Sequence, residues 1–190
     1  KDHPNNVKYV CYDSVDDLEK IFSDLEKIAQ KTYQRRIGVS FNDNEETRKK
    51  YALLSQKTRL RTYVLYVQGR PSTYWNGELY CDAFHLFTTG YDPELIKYEL
   101  GTILFTKMIE DLSALGYVKY LDFGFGDKDY KRRFGDKNYQ EATIHIFSSR
   151  FNGLRINILR FFILGSQQLA KEILERFNLL EKIKRKWQNR

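Results

Sequence analysis

Residues 81–134, CDAFHLFTTGYDPELIKYELGTILFTKMIEDLSALGYVKYLDFGFGDKDYKRRF, decide the fold of this chain of 190 residues. They contain a helix pattern between two strand patterns. Asp92 predicts the N-terminal cap of the helix, and Gly116 predicts its end in the left-handed conformation that other residues avoid. Apolar residues recur between these ends at spacings of three and four, which predicts one buried face. They are Ile96, Leu100, Ile103, Leu104, Met108, Leu112 and Leu115.

Strands on both sides of this helix make the segment a β-α-β unit. The two strands are therefore expected to be parallel, with a right-handed crossover between them. Ligands of such sheets bind beyond the carboxyl ends of the strands. We expect a ligand site formed by residues 87–90 and 123–130.

The remaining patterns place two helices and two strands before this unit and a long helix after it. Helices are predicted to begin at the capping residues Ser14 and Asn44. Strands are predicted at 60–68, 72–79 and 80–88, the last of which is the first strand of the unit, with turns at Gly69-Arg70-Pro71 and Asn76-Gly77. A short helix over 129–134, a strand over 141–149 and a terminal helix complete the chain.

This order of elements predicts an α/β fold with a mixed central sheet flanked by helices. We expect residues 1–153 to form that domain and residues 154–190 to form a basic, amphipathic helical extension. The extension can contact an anionic surface such as lipid or nucleic acid, or its apolar stripe can dock onto the domain.

Composition indicates an ordinary globular protein with a preference for anions. The hydrophobic share is 42%, the charged share is 30%, the formal net charge is +7 and the pI is about 9.2. A positive charge favours phosphates, acidic glycans, nucleic acid or a membrane surface, and it selects none of them. No apolar run reaches the roughly 18 residues of a membrane span.

Cysteine and histidine positions predict no metal site. Cys11 and Cys81 are too far apart for a metal knuckle, and we expect buried, reduced thiols rather than a disulfide. The three histidines have no metal-ligand spacing. His85 and His145 lie in predicted strands, which favours structural roles, and Asp82 alternates to the face opposite His85, so the two are not expected to form a dyad.

The loop at residues 122–134 carries the candidate catalytic groups. Asp122 or Asp127 could take a proton from an attacking amine or hydroxyl, and Tyr130 could return one to a leaving thiolate. Lys131 lies beside them in the sequence. A second interpretation stays open, in which Asp127 caps the short helix, Tyr130 packs in the core and the basic residues are solvated.

Three segments of this chain resemble the acyl-CoA N-acyltransferase (GNAT) family. They are Thr32-Tyr33-Gln34, the helix start from Tyr91-Asp92-Pro93 to Leu100-Gly101-Thr102, and Leu121-Asp122-Phe123-Gly124 with Gly126-Asp127, Tyr130-Lys131 and Phe134. Within that family they are most similar to the branch of CelD/BcsL-type acetyltransferases, which is related to the FemAB transferases. The resemblance spans residues 14–149.

The resemblance implies a cytoplasmic enzyme that moves an acyl group from acetyl-CoA or another acyl-CoA to a sugar or cell-envelope precursor. The implied donor-binding residues are Phe87, Thr88, Thr89, Lys97, Gly101 and Thr102. The implied catalytic residues are Asp122, Asp127, Tyr130 and Lys131. An upstream GNAT-like half is also implied, and the chain begins at Lys1 with its only methionine at Met108.

The phosphate-binding signature of the family, Arg/Gln-x-x-Gly-x-Gly/Ala, corresponds here to residues 96–101, and only Gly101 fits it. Two alternatives to acyl-CoA transfer therefore stay open. One is a FemAB-like transferase that uses aminoacyl-tRNA. The other is a GNAT-like module without catalytic activity that binds an anionic glycan, lipid or RNA.

Overall fold

The computed structural model describes residues 6–32, 35, 38–126, 128–140, 144–148 and 150–176. The chain forms two compact units, Lys1–Asp136 and Lys137–Arg190. The strands of the first unit are β1 (Val7–Tyr12), β2 (Leu60–Val67), β3 (Arg70–Tyr80), β4 (Ala83–Tyr91) and β5 (Tyr120–Asp122). Its α-helices are α1 (Leu18–Ala29), α2 (Glu45–Gln56), α3 (Leu100–Ala114) and α4 (Asp129–Phe134). Two 3₁₀ helices, Val15–Asp17 and Pro93–Tyr98, precede α1 and α3.

The five strands form one sheet in the order β1-β2-β3-β4-β5. The first three pairings are antiparallel, and β4 and β5 are parallel. The parallel pair follows from the crossover through α3, which returns the chain to the same end of the sheet. The predicted mixed sheet flanked by helices is confirmed.

The two faces of the sheet bury separate hydrophobic clusters. On one face, α1 and α2 pack residues such as Ile21, Phe22 and Tyr51 against Leu60 and Val64. The opposite face packs against α3 and α4 through a second cluster, which includes Trp75, Phe84, Leu104, Phe105, Met108, Leu121, Phe123, Tyr130 and Phe134. The sheet thus forms the middle of three layers.

The cap predicted at Asn44 is confirmed, whereas Ser14 caps the 3₁₀ helix Val15–Asp17 and α1 begins after it without a side-chain cap. The Ser14 hydroxyl accepts a hydrogen bond from the Asp16 amide at 3.3 Å. The Asn44 side chain accepts one from the Thr47 amide at 2.8 Å, and α2 begins at the next residue. These bonds satisfy amides that have no acceptor inside the helix.

The long helix predicted after Asp92 is broken near its start. Asp92 caps a 3₁₀ helix by accepting from the Glu94 amide at 3.1 Å, as the cap prediction requires. Glu99 then adopts the left-handed conformation, with φ 51° and ψ 36°, and α3 begins at Leu100. Ile96 therefore lies outside the helix and is 63% exposed, whereas Leu104 and Met108 are buried as predicted. Gly116 ends the segment at φ +74°, also as predicted.

The predicted turn at Asn76-Gly77 is wrong, because both residues lie inside β3. The turn before β3 is at Gln68-Gly69, next to the predicted Gly69-Arg70-Pro71, and the turn after β3 is at Cys81; backbone φ angles are positive at all three residues. Gly77 is a glycine for reasons of space, since a Cβ built there would lie 2.2 Å from the carbonyl oxygen of His85. The register between β3 and β4 shifts at this point, a β-bulge.

The second unit contains the helix α5 (Phe151–Arg176). Residues 144–148 have no regular structure, so the strand predicted over 141–149 is wrong for them, and its other residues lie outside the described part. Ile144 and Ile146 are 82% and 94% exposed, and among the described residues no strand pairs with this segment. The domain boundary at residue 153 stays a prediction. In the described chain, no helix combines the length and the apolar character that crossing a bilayer demands.

The two cysteines are free, and they differ in exposure. Cys11 is partly buried, and burial raises the pKa of its thiol to about 12 although Arg61 opposes the shift. Cys81 is exposed, so the expectation of two buried thiols is wrong for it.

Alkylation should therefore distinguish the two thiols. At pH 8.5 a thiol with a pKa near 12 is ionised in only roughly 1 molecule in 3,000, and the thiolate is the reactive form. We expect iodoacetamide to modify Cys81 and to leave Cys11 unmodified, as read by peptide mass spectrometry. Both should react in urea. Equal labelling of Cys11 and Cys81 in the folded protein would contradict the burial of Cys11.

Candidate active site

The carboxyl end of β4 has an open edge. The short strand β5 pairs only with Ala83, Phe84 and His85, and β4 continues to Tyr91. After Asp122 the chain leaves the sheet, so among the described residues no strand pairs with 86–91 on that side. Backbone groups on such an edge can pair with an extended ligand.

The β-bulge lies on this open part of β4. Phe87 has no register partner, because Thr88 pairs with Asn76 and Leu86 pairs with Gly77. The buried Asn76 holds the bulge, since its Oδ1 accepts from the Thr88 amide at 3.0 Å and from the Thr88 hydroxyl at 2.8 Å. Its Nδ2 donates to the Tyr51 hydroxyl on α2.

The three donor-binding residues predicted on β4 offer mainly backbone to a ligand. The hydroxyls of Thr88 and Thr89 bond to Asn76 Oδ1 and to the Tyr74 carbonyl on β3. Lys50 Nζ lies over the Phe87 ring, 3.4 Å from the ring centroid. Burial lowers the pKa of Lys50, and the nearby Glu78 opposes this shift.

The start of α3 lies just after the end of this open edge in the chain. The amides of Thr102 and Ile103 donate to the Glu99 carbonyl, which leaves those of Leu100 and Gly101 with no acceptor inside the helix. Gly101 has room around it, since an added Cβ would meet only Thr73 Oγ1, at 4.0 Å. Its carbonyl accepts from Trp75 Nε1 at 3.3 Å. Lys97 is exposed, with Nζ 4.9 Å from the Tyr98 ring centroid.

Asp122 forms a pair with His85 that sequence reasoning missed. The two residues are register partners on β4 and β5, so their side chains share a face of the sheet. His85 Nδ1 lies 3.0 Å from Asp122 Oδ2. Asp122 Oδ1 accepts from the Gly124 amide at 2.8 Å, so both carboxylate oxygens are engaged.

This pair could have been predicted from the register between β4 and β5, although neither residue indicates it alone. Asp82, the acid nearest to His85 along the chain, lies in the turn before β4 rather than on the strand as predicted, and the acid that pairs with His85 lies on another strand. Aligning the parallel strands at the Leu121 and Phe84 core positions would have placed Asp122 beside His85.

Tyr130 and Lys131 lie on α4. The Tyr130 ring makes edge contacts with Trp75 and Phe123, at centroid distances of 5.5 and 5.9 Å. Lys131 Nζ donates to the carbonyls of Gly124 and Phe125, at 2.8 and 2.6 Å. Burial and the charge of Lys128 lower the pKa of Lys131, and Asp122 opposes this shift.

Asp127 lies outside the described residues, so its predicted role stays a prediction. Lys131 contacts the backbone of the loop that contains Gly124, the residue whose amide binds Asp122. The structure therefore brings together Asp122, His85 and Lys131 around this loop. Tyr130 belongs to the cluster on the α3 face, whereas His85 and Asp122 lie on the α1 and α2 face.

The sheet is mixed, and its two parallel strands, β4 and β5, separate after three register pairs. Residues 2–132 match the family model described as an acetyltransferase (GNAT) domain. The chain therefore belongs to the GNAT acetyltransferase family and is an acyltransferase enzyme. No curated protein sequence matches the chain.

Solved acetyltransferases share the fold at low sequence identity. An aminoglycoside acetyltransferase from an uncultured soil metagenomic sample, meta-AAC0020 with bound trehalose, has a TM-score of 0.51 at 16% identity and covers 77% of this chain and 97% of its own. AAC(6')-Iy with the bisubstrate analogue CoA-S-monomethyl-acetylneamine has a TM-score of 0.54 at 7% identity, covering 76% and 99%. A GNAT family acetyltransferase of Staphylococcus aureus has a TM-score of 0.51 at 13% identity, covering 74% and 98%.

GNAT acetyltransferases use acetyl-CoA, so the predicted co-substrate is confirmed for this family member. The described residues fit that molecule in two respects. The open edge of β4 suits an extended chain containing amides, and the room at Gly101 suits close approach of phosphate to helix amides. Glu99 is the exception, because its carboxylate adds negative charge at the same helix start.

Proposed function

We propose that this domain transfers an acetyl group from acetyl-CoA to an amine or hydroxyl of a sugar or cell-envelope precursor. The observation that carries the proposal is the open edge of β4 leading toward the start of α3. The pantetheine arm would pair with the backbone of residues 87–89. The diphosphate would lie at Gly101 and Thr102, with Lys97 as an exposed cation nearby.

The acceptor would reach the thioester from the face of the sheet that contains Asp122. Asp122 is exposed there, with 51% of its side chain accessible, and supplies negative charge close to the end of β5. A carboxylate at this point favours an acceptor that carries positive charge, such as an amino sugar. One solved protein of similar fold is an aminoglycoside acetyltransferase, and aminoglycosides are amino sugars.

Tyr130 and Lys131 would act on the other side of the reaction. Tyr130 lies against Trp75, which bonds to the α3 start, so its hydroxyl is our candidate for protonating the leaving thiolate. Lys131 would position the loop through its two bonds to backbone carbonyls. We retain the CelD/BcsL-like branch, and a cytoplasmic location, as parts of this proposal.

Release of free CoA thiol tests the proposal. The purified chain is incubated with acetyl-CoA and either glucosamine or sisomicin, and the thiol is measured with a colour reagent. We expect acceptor-dependent release, with the acetylated sugar seen by mass spectrometry. Binding of acetyl-CoA with no release for any amine or hydroxyl sugar would overturn the acceptor class.

Restoring the glycine of the family signature should improve donor binding. Glu99→Gly removes a left-handed non-glycine residue and a carboxylate from the α3 start. We expect the Kd for acetyl-CoA to fall by about 3- to 10-fold, the size of one charge interaction near a protein surface. The melting temperature should not decrease. Calorimetric titration measures the Kd.

Glu99→Gln separates the two effects in the same titration. It removes the charge and keeps the side chain, so it should give most of the gain in affinity with no gain in stability. An unchanged Kd in both variants would place the diphosphate elsewhere.

A further inference from the structure

We propose that His85 is the general base that takes the proton from the acceptor, and that Asp122 is the residue that positions it. This inference rests on the proposed acetyl transfer. It changes the role expected for Asp122, because a carboxylate whose two oxygens are already engaged is poorly placed to take a substrate proton directly.

The hydrogen bond decides which nitrogen of the imidazole can act. Asp122 Oδ2 is an acceptor only, so His85 Nδ1 must carry the hydrogen that joins them at 3.0 Å. Nε2 is then left with its lone pair and can accept a proton. The carboxylate also stabilises the imidazolium that forms after the transfer. The His85 side chain is 37% exposed, so a ligand can reach it.

Other groups around His85 lie on neighbouring strands. Glu78 on β3 is its register partner, and Arg59 Nη2 donates to Glu78 Oε2 at 2.7 Å. The Tyr80 ring lies 6.4 Å from the imidazole, and the Arg59 guanidinium covers the Tyr80 ring at 4.4 Å. Glu78 thus already has a cationic partner, whereas the Asp122 carboxylate is paired with His85.

His85 also lies at the point where the sheet opens. It belongs to the last register pair between β4 and β5, and the next residues of β4 form the open edge. A donor laid along that edge would bring its thioester toward the end of the paired region. The base therefore lies on the acceptor face of the sheet, and Tyr130 lies on the opposite face.

The reaction balances with these groups. The acceptor nitrogen or oxygen attacks the thioester carbonyl carbon, a new C–N or C–O bond forms, and the C–S bond breaks. The acceptor proton moves to His85 Nε2, which releases it to solvent. The leaving thiolate gains a proton from the Tyr130 hydroxyl, which is reprotonated from water. No oxidant or reductant is needed.

Nitrogen-15 NMR of the imidazole groups tests the positioning step without turnover. The chain has three histidines, and the signals lost in His85→Gln identify those of His85. We expect hydrogen on Nδ1, and we expect Asp122→Asn to move that hydrogen to Nε2. An Nδ1 without hydrogen in the unsubstituted protein would overturn the proposal.

Thiol release with acetyl-CoA and an amino sugar tests the chemical step. We expect His85→Gln to lower kcat by about 100-fold or more with little change in the acetyl-CoA Kd. Added imidazole should restore turnover to His85→Ala several-fold. His145→Gln is the matched control, because His145 contacts Arg160 in the second unit.

The outcomes separate the two proposals. If the unsubstituted chain releases thiol and His85→Gln does so equally well, the role of His85 is overturned and acetyl transfer stands. If the unsubstituted chain binds no acetyl-CoA and releases no thiol, the proposed function falls and the role of His85 falls with it. Loss of turnover in His85→Ala that imidazole cannot restore would also count against a base at this position.

Discussion

Replacing Gly77 with alanine should prevent the first unit from folding stably. A Cβ at this position would lie 2.2 Å from the His85 carbonyl oxygen and 2.8 Å from Phe84 Cζ. The first of these atoms is backbone, so the clash can be relieved only by separating β3 from β4. Overpacking of a core commonly costs about 1–3 kcal/mol, and we expect more than about 3 kcal/mol here.

Thermal unfolding followed by circular dichroism measures the effect of Gly77→Ala. Gly101→Ala is a suitable control, because its nearest neighbour lies 4.0 Å away and alanine is the better helix former. The control should melt no lower than the unsubstituted protein. A Gly77→Ala variant with an unchanged melting temperature would contradict the close approach of β3 and β4 at the bulge.

Asp122→Asn should reduce kcat by about 100- to 10,000-fold while the protein remains folded. The asparagine amide can donate to His85 Nδ1, which would favour hydrogen on Nε2 and remove the lone pair from the acceptor face. The donor site lies along β4 and at the α3 start, so the Kd for acetyl-CoA should change little. Steady-state kinetics combined with calorimetric titration separates the two quantities.

Asp122→Leu extends this comparison. It removes the carboxylate and the hydrogen bond together, and we expect kcat to fall, because no acceptor then holds the hydrogen on His85 Nδ1. Full activity in Asp122→Asn would show that the pair with His85 has no part in the reaction. A loss confined to the Kd for acetyl-CoA would instead place Asp122 at the donor site.

Local chemistry was sufficient to predict much of the fold. Asp92, Gly116 and Asn44 act as end signals through bonds or angles that involve only neighbouring residues. The parallel strands on either side of α3 follow from the handedness and length of the crossover. The short helix Asp129–Phe134 was predicted with the bounds that the structure shows.

Features that depend on contacts between strands were not predicted. Gly77 has the local signature of a turn, and its true role is to let β3 and β4 approach closely. Glu99 interrupts a strong helical pattern with a left-handed residue, which its side chain does not favour. The pair between His85 and Asp122 can be predicted only when the register between β4 and β5, which are far apart in the sequence, is known.

At the donor site, the phosphate-binding sequence signature and the backbone conformation lead to different expectations. Only Gly101 of the phosphate signature is present in the sequence. From the sequence alone, two other functions were therefore compatible with the chain: aminoacyl-tRNA transfer, and anion binding without catalytic activity. The backbone nevertheless has a left-handed residue at Glu99, the signature's first glycine position, followed by helix amides at the end of an open strand edge. The residue types alone do not predict this backbone conformation at the start of α3.

Calorimetric titration of acetyl-CoA into the purified chain tests the central claim, that acetyl-CoA binds along the open edge of β4 and at the start of α3. We expect one site with a Kd on the order of micromolar, within the usual range for enzyme substrates. Gly101→Glu should abolish the binding heat and keep the melting temperature, because it places a carboxylate where the diphosphate lies. Absence of heat with the unsubstituted chain, or equal binding by Gly101→Glu, would contradict the claim.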